Sequence, residues 1–178
     1  MKLIDRAHVE SHKEEIIEAI KAGKIFIYPT DTIYGLGCNA LLGDVVQKIR
    51  EIKQRDTKPL LVIAPNKEWI EEHCIARRED LDQYLPGPYS LYLRRKDQAV
   101  APEVNPEDDT LGVRIIDHWF MDLISEAGVP FVTTSVNLSG EERMTRIEDV
   151  DPAILDQVDY VVYEGENKGE PSKKISLV

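Results

Sequence analysis

PTDTIYGLG, residues 29–37, follows directly on the apolar run Ile25-Phe26-Ile27-Tyr28. A run of this kind reads as a strand, and the nine residues after it read as the strand's exit into a functional site. Pro29 fixes its own φ and removes a ladder donor, so the strand stops there. Thr30, Asp31 and Thr32 then present short polar side chains. Gly35 and Gly37 leave room for a neighbouring backbone or a ligand to come close.

Working outward from this stretch, apolar spacing places a helix over 11–22, with Ser11 and Glu14 as a capping box and Gly23 at its left-handed end. Strand 24–28 leads into the motif. A second helix over 44–54 turns Val45, Val46, Ile49 and Ile52 inward and leaves its basic residues on other faces. The continuous apolar run 60–64 predicts a strand buried on both faces. Helices are expected over 66–74, 77–84, 119–127 and 152–158, and strands over 89–93, 111–116, 129–134 and 160–163. The polar span 97–110, with two prolines, reads as a loop and a candidate for mobility. Strands and helices alternate unevenly, with a hairpin-like stretch over 89–116. This favours an α/β fold on a twisted mixed sheet over a regular doubly wound one. Neither the G-x-G-x-x-G fingerprint nor the P-loop spacing occurs, so a nucleotide would have to be bound by another route.

With 178 residues, 42% of them hydrophobic, the chain suits one well-filled core, and 1–178 is expected to be one domain. No stretch of 18 apolar residues and no signal-peptide pattern occurs, so a soluble cytoplasmic protein without a membrane role is expected. Cys38 and Cys74 are too few for a disulfide framework and have no metal-ligand spacing with the four histidines, so no metal held by protein ligands is expected. A net charge of −11 argues against non-specific wrapping of nucleic acid. Lys48, Arg50, Lys53, Arg55 and Lys58 nevertheless cluster within eleven residues, and Arg94, Arg95 and Lys96 are contiguous. Basic residues beside a Gly/Thr-rich loop in an acidic chain point to a phosphate-bearing ligand.

Four segments share one chemical character: PTDTIYGLG at 29–37, KQRDTKPL at 53–60, LGVRIIDH at 111–118 and TSVNLSG at 134–140. Each falls at an expected strand or helix end, where side chains can converge. They supply hydroxyls and an amide (Thr30, Thr32, Ser135, Asn137), cations (Lys53, Arg55, Lys58, Arg114) and one acid, Asp31. No Ser-His-Asp or Cys-His set is among them, so catalysis through an activated nucleophile is disfavoured. The set is suited to positioning anionic reactants and neutralising charge. Arg114, inside an apolar strand, requires an anionic partner.

Together with PGPYSLYL at 86–93, these segments in this order resemble the YrdC/TsaC family of threonylcarbamoyl-AMP synthases over roughly residues 10–175. The resemblance implies a YrdC-like fold, a twisted and largely antiparallel α/β sheet with helices around a large concave cavity. It implies a nucleotidyltransferase that makes L-threonylcarbamoyl-adenylate and pyrophosphate from L-threonine, bicarbonate and ATP, with Mg²⁺ carried by the nucleotide. The product would serve threonylcarbamoyladenosine modification next to the anticodon of tRNA, passed on by partner proteins, with tRNA or double-stranded RNA as further partners. Carried over by position, L-threonine would meet Thr32, Arg114, Ser135 and Ser172. ATP would meet Lys53, Arg55, Lys58, Thr110, Asn137 and Thr145, and Lys53, Arg55, Ser135 and Asn137 would carry the chemistry.

Chemistry supports part of this carry-over. Arg114 can grip a carboxylate with two parallel bonds, and Lys53, Arg55 and Lys58 can face a triphosphate. Thr145 also reads as an ordinary helix cap, with Glu148 completing a capping box, and Thr110 as a plain loop residue. The C-terminal segment departs from the family's PSTxxDL: Lys173 stands for the threonine and Ser176 for the aspartate. Pro171–Val178 is expected to close over the cavity, with Ser172 reaching the amino acid and Lys173 or Lys174 adding positive charge. A non-catalytic RNA- or nucleotide-binding YrdC-like module is the alternative, and a related domain serving another carbamoyl acceptor is a third reading.

Overall fold

Strand β2 (Phe26–Tyr28) does not end in open loop: the chain returns as β3 (Gly35–Gly37), antiparallel to it, with Phe26 opposite Gly37 and Tyr28 opposite Gly35. The computed structural model describes residues 1–55 and 57–178. Glycine is required at Gly37 because a Cβ there would stand 1.8 Å from the Val132 carbonyl oxygen. At Gly35 a Cβ would meet the Tyr28 ring at 2.8 Å. At these two positions the closest approaches therefore come from the neighbouring strand and the hairpin's own tyrosine.

The sheet runs β1-β9-β2-β3-β8-β4-β7-β6-β10, and β5 also pairs with β6. The remaining strands are β1 (Lys2–Ile4), β4 (Leu61–Ile63), β5 (Cys74–Ile75), β6 (Tyr89–Arg95), β7 (Thr110–Arg114), β8 (Phe131–Ser135), β9 (Tyr160–Val162) and β10 (Lys173–Ser176). β3–β8, β4–β8 and β6–β7 are antiparallel like the hairpin, whereas β1–β9, β2–β9, β4–β7 and β6–β10 are parallel. The helices are α1 (Arg6–Ser11), α2 (Lys13–Lys21), α3 (Gly43–Lys53), α4 (Lys67–His73), α5 (Arg78–Tyr84), α6 (Met121–Ala127) and α7 (Pro152–Leu155).

Alternation along the central strands creates two unlike faces. Val132, Val62, Val113 and Leu91 lie in register across β8, β4, β7 and β6 and are fully buried. Nearby, Phe26 meets Phe131 edge-on at 6.1 Å and Tyr28 stacks on Phe120 at 4.9 Å. Each such fully buried apolar side chain contributes about 1.5–3 kcal/mol. One residue along, Thr133, Leu61, Gly112 and Tyr92 form the next registered row, and three of them face a cavity. Gly112 is small because a Cβ there would overlap the Leu61 side chain at 2.2 Å, so Leu61 can lie flat over that strand. The expected strand at 60–64 is thus core on one face and cavity floor on the other.

Several expectations are corrected. The single helix over 11–22 is two helices broken at His12, whose ψ of 32° interrupts the turn. Ser11 is the last residue of α1 and donates to the His8 carbonyl, and the cap is Asp5, which accepts from the His8 backbone N–H at 2.8 Å. In α3, Arg50 and Lys53 point inward with Ile49 and Ile52. Within 97–110, Ala99, Val100, Ala101, Val104 and Asn105 are buried and Pro102–Val104 forms a 3-10 turn, so this segment is packed against the body.

Candidate functional site

The cavity, of about 390 Å³, opens on the face floored by Thr133, Leu61 and Tyr92. Residues from four of the sequence segments reach it: Thr30, Thr32 and Gly35 from the hairpin, Arg55 and Lys58 after α3, Arg114 from β7, and Thr134, Ser135 and Asn137 from β8 and beyond. Pro171, Ser172 and Lys174 form a further wall. That wall is the start of β10, laid parallel on β6, and the two residues before it, with the Ser172 hydroxyl 2.6 Å from that of Ser90.

At one end α3 ends on Gln54, in the left-handed conformation (φ 51°), and this turn sends Arg55 away from the helix. Arg55 Nη2 donates to the Pro59 carbonyl at 2.9 Å, and Nη1 lies 3.5 Å from the Thr134 hydroxyl. Lys53 stands behind the lining. Its ammonium donates to the Ser135 carbonyl at 2.7 Å, to Ser135 Oγ at 3.3 Å and to Asn137 Oδ1. Ser135 Oγ also donates to Asn137 Oδ1 at 2.7 Å, and Asn137 Nδ2 donates to the Glu141 carbonyl at 2.6 Å. Burial, with the neighbouring Arg55 charge, lowers the Lys53 pKa to about 8, so the amine is charged at neutral pH and titrates just above it. Burial likewise pulls Arg55 below the usual arginine range, with the Arg50 charge adding to it.

At the other end Arg114 meets the carboxylate that a buried arginine demands, and it belongs to the protein. Arg114 Nη2 donates to Asp31 Oδ1 at 2.6 Å and to the Gly87 carbonyl at 3.2 Å, and Nη1 donates to the Thr32 hydroxyl at 2.9 Å. The free fork expected for two-point capture of a substrate carboxylate is therefore already engaged. Among the described residues Arg114 Nε is buried without a partner. Thr30 and Thr32 share a hydroxyl contact at 3.1 Å, which fixes the tight turn that carries both.

Besides Lys53, two sequence-selected residues lie outside the cavity lining, Thr110 and Thr145. Thr110 starts β7, where its N–H donates to Asp108 Oδ1 at 2.7 Å. Thr145 donates its hydroxyl to Asp149 Oδ2 at 2.8 Å, so its capping partner is Asp149, and not Glu148. Arg94, Arg95 and Lys96 are also absent from the lining: Arg95 Nη2 donates to the Asp108 carbonyl and Lys96 Nζ to the Glu71 carbonyl. Sequence reasoning missed Tyr34, Tyr92, Glu141, Glu142 and Arg143 as lining residues. Tyr34 sits inside the PTDTIYGLG motif and could have been included; its hydroxyl donates to the Gly165 carbonyl at 2.6 Å. Of the two lysines considered for added charge, Lys174 lines the cavity. Among the described residues no three His, Cys, Asp or Glu side chains converge as a metal site, and no helix is long and apolar enough to cross a membrane.

A concave sheet face with cations and amide at one end and hydroxyls around a neutralised arginine at the other defines a domain built to hold an anion beside a small polar molecule. The Sua5/YciO/YrdC family, described as telomere recombination, matches residues 18–178. The chain belongs to that family. A Methanocaldococcus jannaschii relative is 34% identical over 177 residues, covering 94% of this chain and 83% of its own. A Vibrio campbellii protein named threonylcarbamoyl-AMP synthase is 32% identical over 165 residues, covering 88% of each. Among solved structures, P. abyssi Sua5 complexed with L-threonine superposes with a TM-score of 0.84 at 25% identity, over 99% of this chain. The chain spans 54% of the length of that Sua5 chain.

Proposed function

We infer that the protein is an L-threonylcarbamoyladenylate synthase, a nucleotidyltransferase that forms threonylcarbamoyl-AMP and pyrophosphate from L-threonine, bicarbonate and ATP. The observation that carries this reading is the convergence of Arg55, Lys58, Ser135 and Asn137 at one end of a cavity whose other end holds Thr32, Arg114 and Ser172. Relatives named for this activity and a threonine-bound structural neighbour support it. One domain over 1–178, a cytoplasmic setting and service to tRNA threonylcarbamoyladenosine modification with partner proteins belong to the same proposal.

In chemical terms, the threonine amine and bicarbonate form a carbamate with loss of water, a carbamate oxygen attacks the α-phosphorus of ATP, and the bond from that phosphorus to the leaving pyrophosphate breaks. The protein contributes position and charge. Arg55 and Lys58 face the phosphates, and Lys53 supports Ser135 and Asn137 from behind. Thr32, Arg114 and Ser172 receive the amino acid, with Arg114 offering one further contact beside its internal bonds. Mg²⁺ would be carried by the nucleotide's phosphates, neutralising the leaving pyrophosphate; among the described residues Glu141 and Glu142 are the carboxylates in the lining. Thr110 and Thr145, placed with ATP by resemblance, have structural partners and take no part in this reading.

The test is pyrophosphate release from ATP that requires both L-threonine and bicarbonate. Release independent of L-threonine would favour another acceptor. Nucleotide or RNA binding without any release would favour the non-catalytic module. RNA binding, if measured alongside, should be weak and steeply lost with salt, given the net charge of −11.

A further inference from the structure

We propose that Asp31 divides the cavity between its two substrates: by neutralising Arg114 it reserves that end for a zwitterionic amino acid and makes it unattractive to polyphosphate. The assignment rests on the reading above, in which one cavity holds L-threonine and ATP. Both molecules bring anionic groups into a space lined by several cations, so charge alone does not tell a carboxylate from a phosphate.

The two ends differ in how their cations are balanced. The side chains of Asp31 and Arg114 are 11% and 5% exposed and meet at 2.6 Å. The second carboxylate oxygen of Asp31 accepts the Asp117 backbone N–H at 3.1 Å, so both oxygens are engaged and the group is fixed to the segment after β7. Asp31 does not line the cavity, so it acts through Arg114 as a positioning residue. At the other end Arg55 and Lys58 line the cavity, and among the described residues neither pairs with a carboxylate; Arg143, also in the lining, lies 3.7 Å from Glu170, and Lys174 stands on β10 opposite Ser90. A paired guanidinium presents a dipole and an unpaired one presents a full charge, and the attraction of each for a multiply charged anion differs accordingly. A zwitterion, carrying both signs, tolerates the dipole, whereas a triphosphate meets the carboxylate's repulsion.

Calorimetry with L-threonine and sodium tripolyphosphate tests this without turnover. In the wild-type protein, saturating tripolyphosphate should leave the L-threonine Kd within about twofold; in Asp31→Asn it should raise that Kd at least about tenfold, as the freed Arg114 accepts phosphate. Asp31→Glu, which keeps the charge, should restore the wild-type pattern. Because Asp31→Asn leaves a buried guanidinium without its partner, folding is checked by thermal melting, and Asp31→Leu combined with Arg114→Met gives a second arm. That double variant should lose L-threonine binding and keep tripolyphosphate affinity within about twofold. Unchanged competition in folded Asp31→Asn, or a double variant that loses tripolyphosphate as well, overturns the proposal. Wild-type protein that binds tripolyphosphate but no L-threonine overturns the functional reading itself, and this assignment with it.

Discussion

Arg114 and Lys53 are buried to almost the same degree, 4% and 2% exposed, yet they sit in opposite electrostatic circumstances. Arg114 finds a carboxylate within the fold, and Lys53 finds only neutral oxygens, those of Ser135 and Asn137. The first cation is a framework element whose field is spent inside the protein. The second has its charge balanced by no carboxylate among the described residues, and its lowered pKa records what burial, with the Arg55 charge beside it, does to such an amine. Burial of a cation therefore does not by itself mark a ligand site; what counts is whether the fold supplies its counter-charge.

The largest effect expected from this contrast is on stability. Arg114→Met leaves Asp31 buried and unpaired and should lower unfolding free energy by about 3–5 kcal/mol, whereas pairing it with Asp31→Leu should recover most of the loss. Urea unfolding checks this, and equal losses in the single and double variants would break the description of the pair as self-contained. Lys53→Met should behave in the reverse sense, with a smaller stability change and a kcat/KM for pyrophosphate release lower by about 10²-fold.

Titration sharpens the same comparison. With its pKa lowered from 10.5 to about 8, Lys53 is charged below pH 8 and neutral above, so ATP affinity should be full below that pH and fall as pH rises through it. The sign for stability is opposite. Between about pH 8 and 10.5 the unfolded chain holds the proton and the folded one does not, so the Lys53 contribution to stability rises with pH. ATP titrations from pH 7 to 9.5 in wild type and Lys53→Met read it out, and a wild-type affinity as flat as the variant's would remove Lys53 from the site.

Removing residues 171–178 should slow threonine-dependent pyrophosphate release at least about tenfold. A truncated protein turning over at the full-length rate would take Ser172 out of the site. Smallest is Thr145→Ala, which should lower stability by about 1 kcal/mol through the lost contact with Asp149 and leave ATP affinity within about twofold. A tenfold weakening would return Thr145 to the nucleotide.

Much of this was legible beforehand because the informative elements are long or chemically marked. The run 60–64, the alternating stretch after Pro88 and the small-polar patches at 30–32 and 135–137 announce themselves. What was not legible has physical reasons. β1, β5 and β10 are two to four residues long, too short for a period of two to register, and β1 and β10 are edges whose pairing depends on distant partners. The inward turn of Arg50 and Lys53 defeats a hydrophobic pattern, since a buried cation looks polar in sequence; Arg50 is held by the carbonyls of Lys58, Glu103 and Val104. The Asp31–Arg114 pair joins residues 83 positions apart, and no local pattern encodes such a meeting.

The strand β10 carries one consequence beyond the walls of the cavity. Only four residues hold it to β6, and the residue just before them, Ser172, reaches the amino-acid end. Whatever affinity L-threonine gains through Ser172 is, by linkage, resistance of this edge to peeling away. Amide hydrogen exchange of the β10–β6 ladder should therefore slow when L-threonine is added, while β1, the edge at the far side of the sheet, exchanges as before.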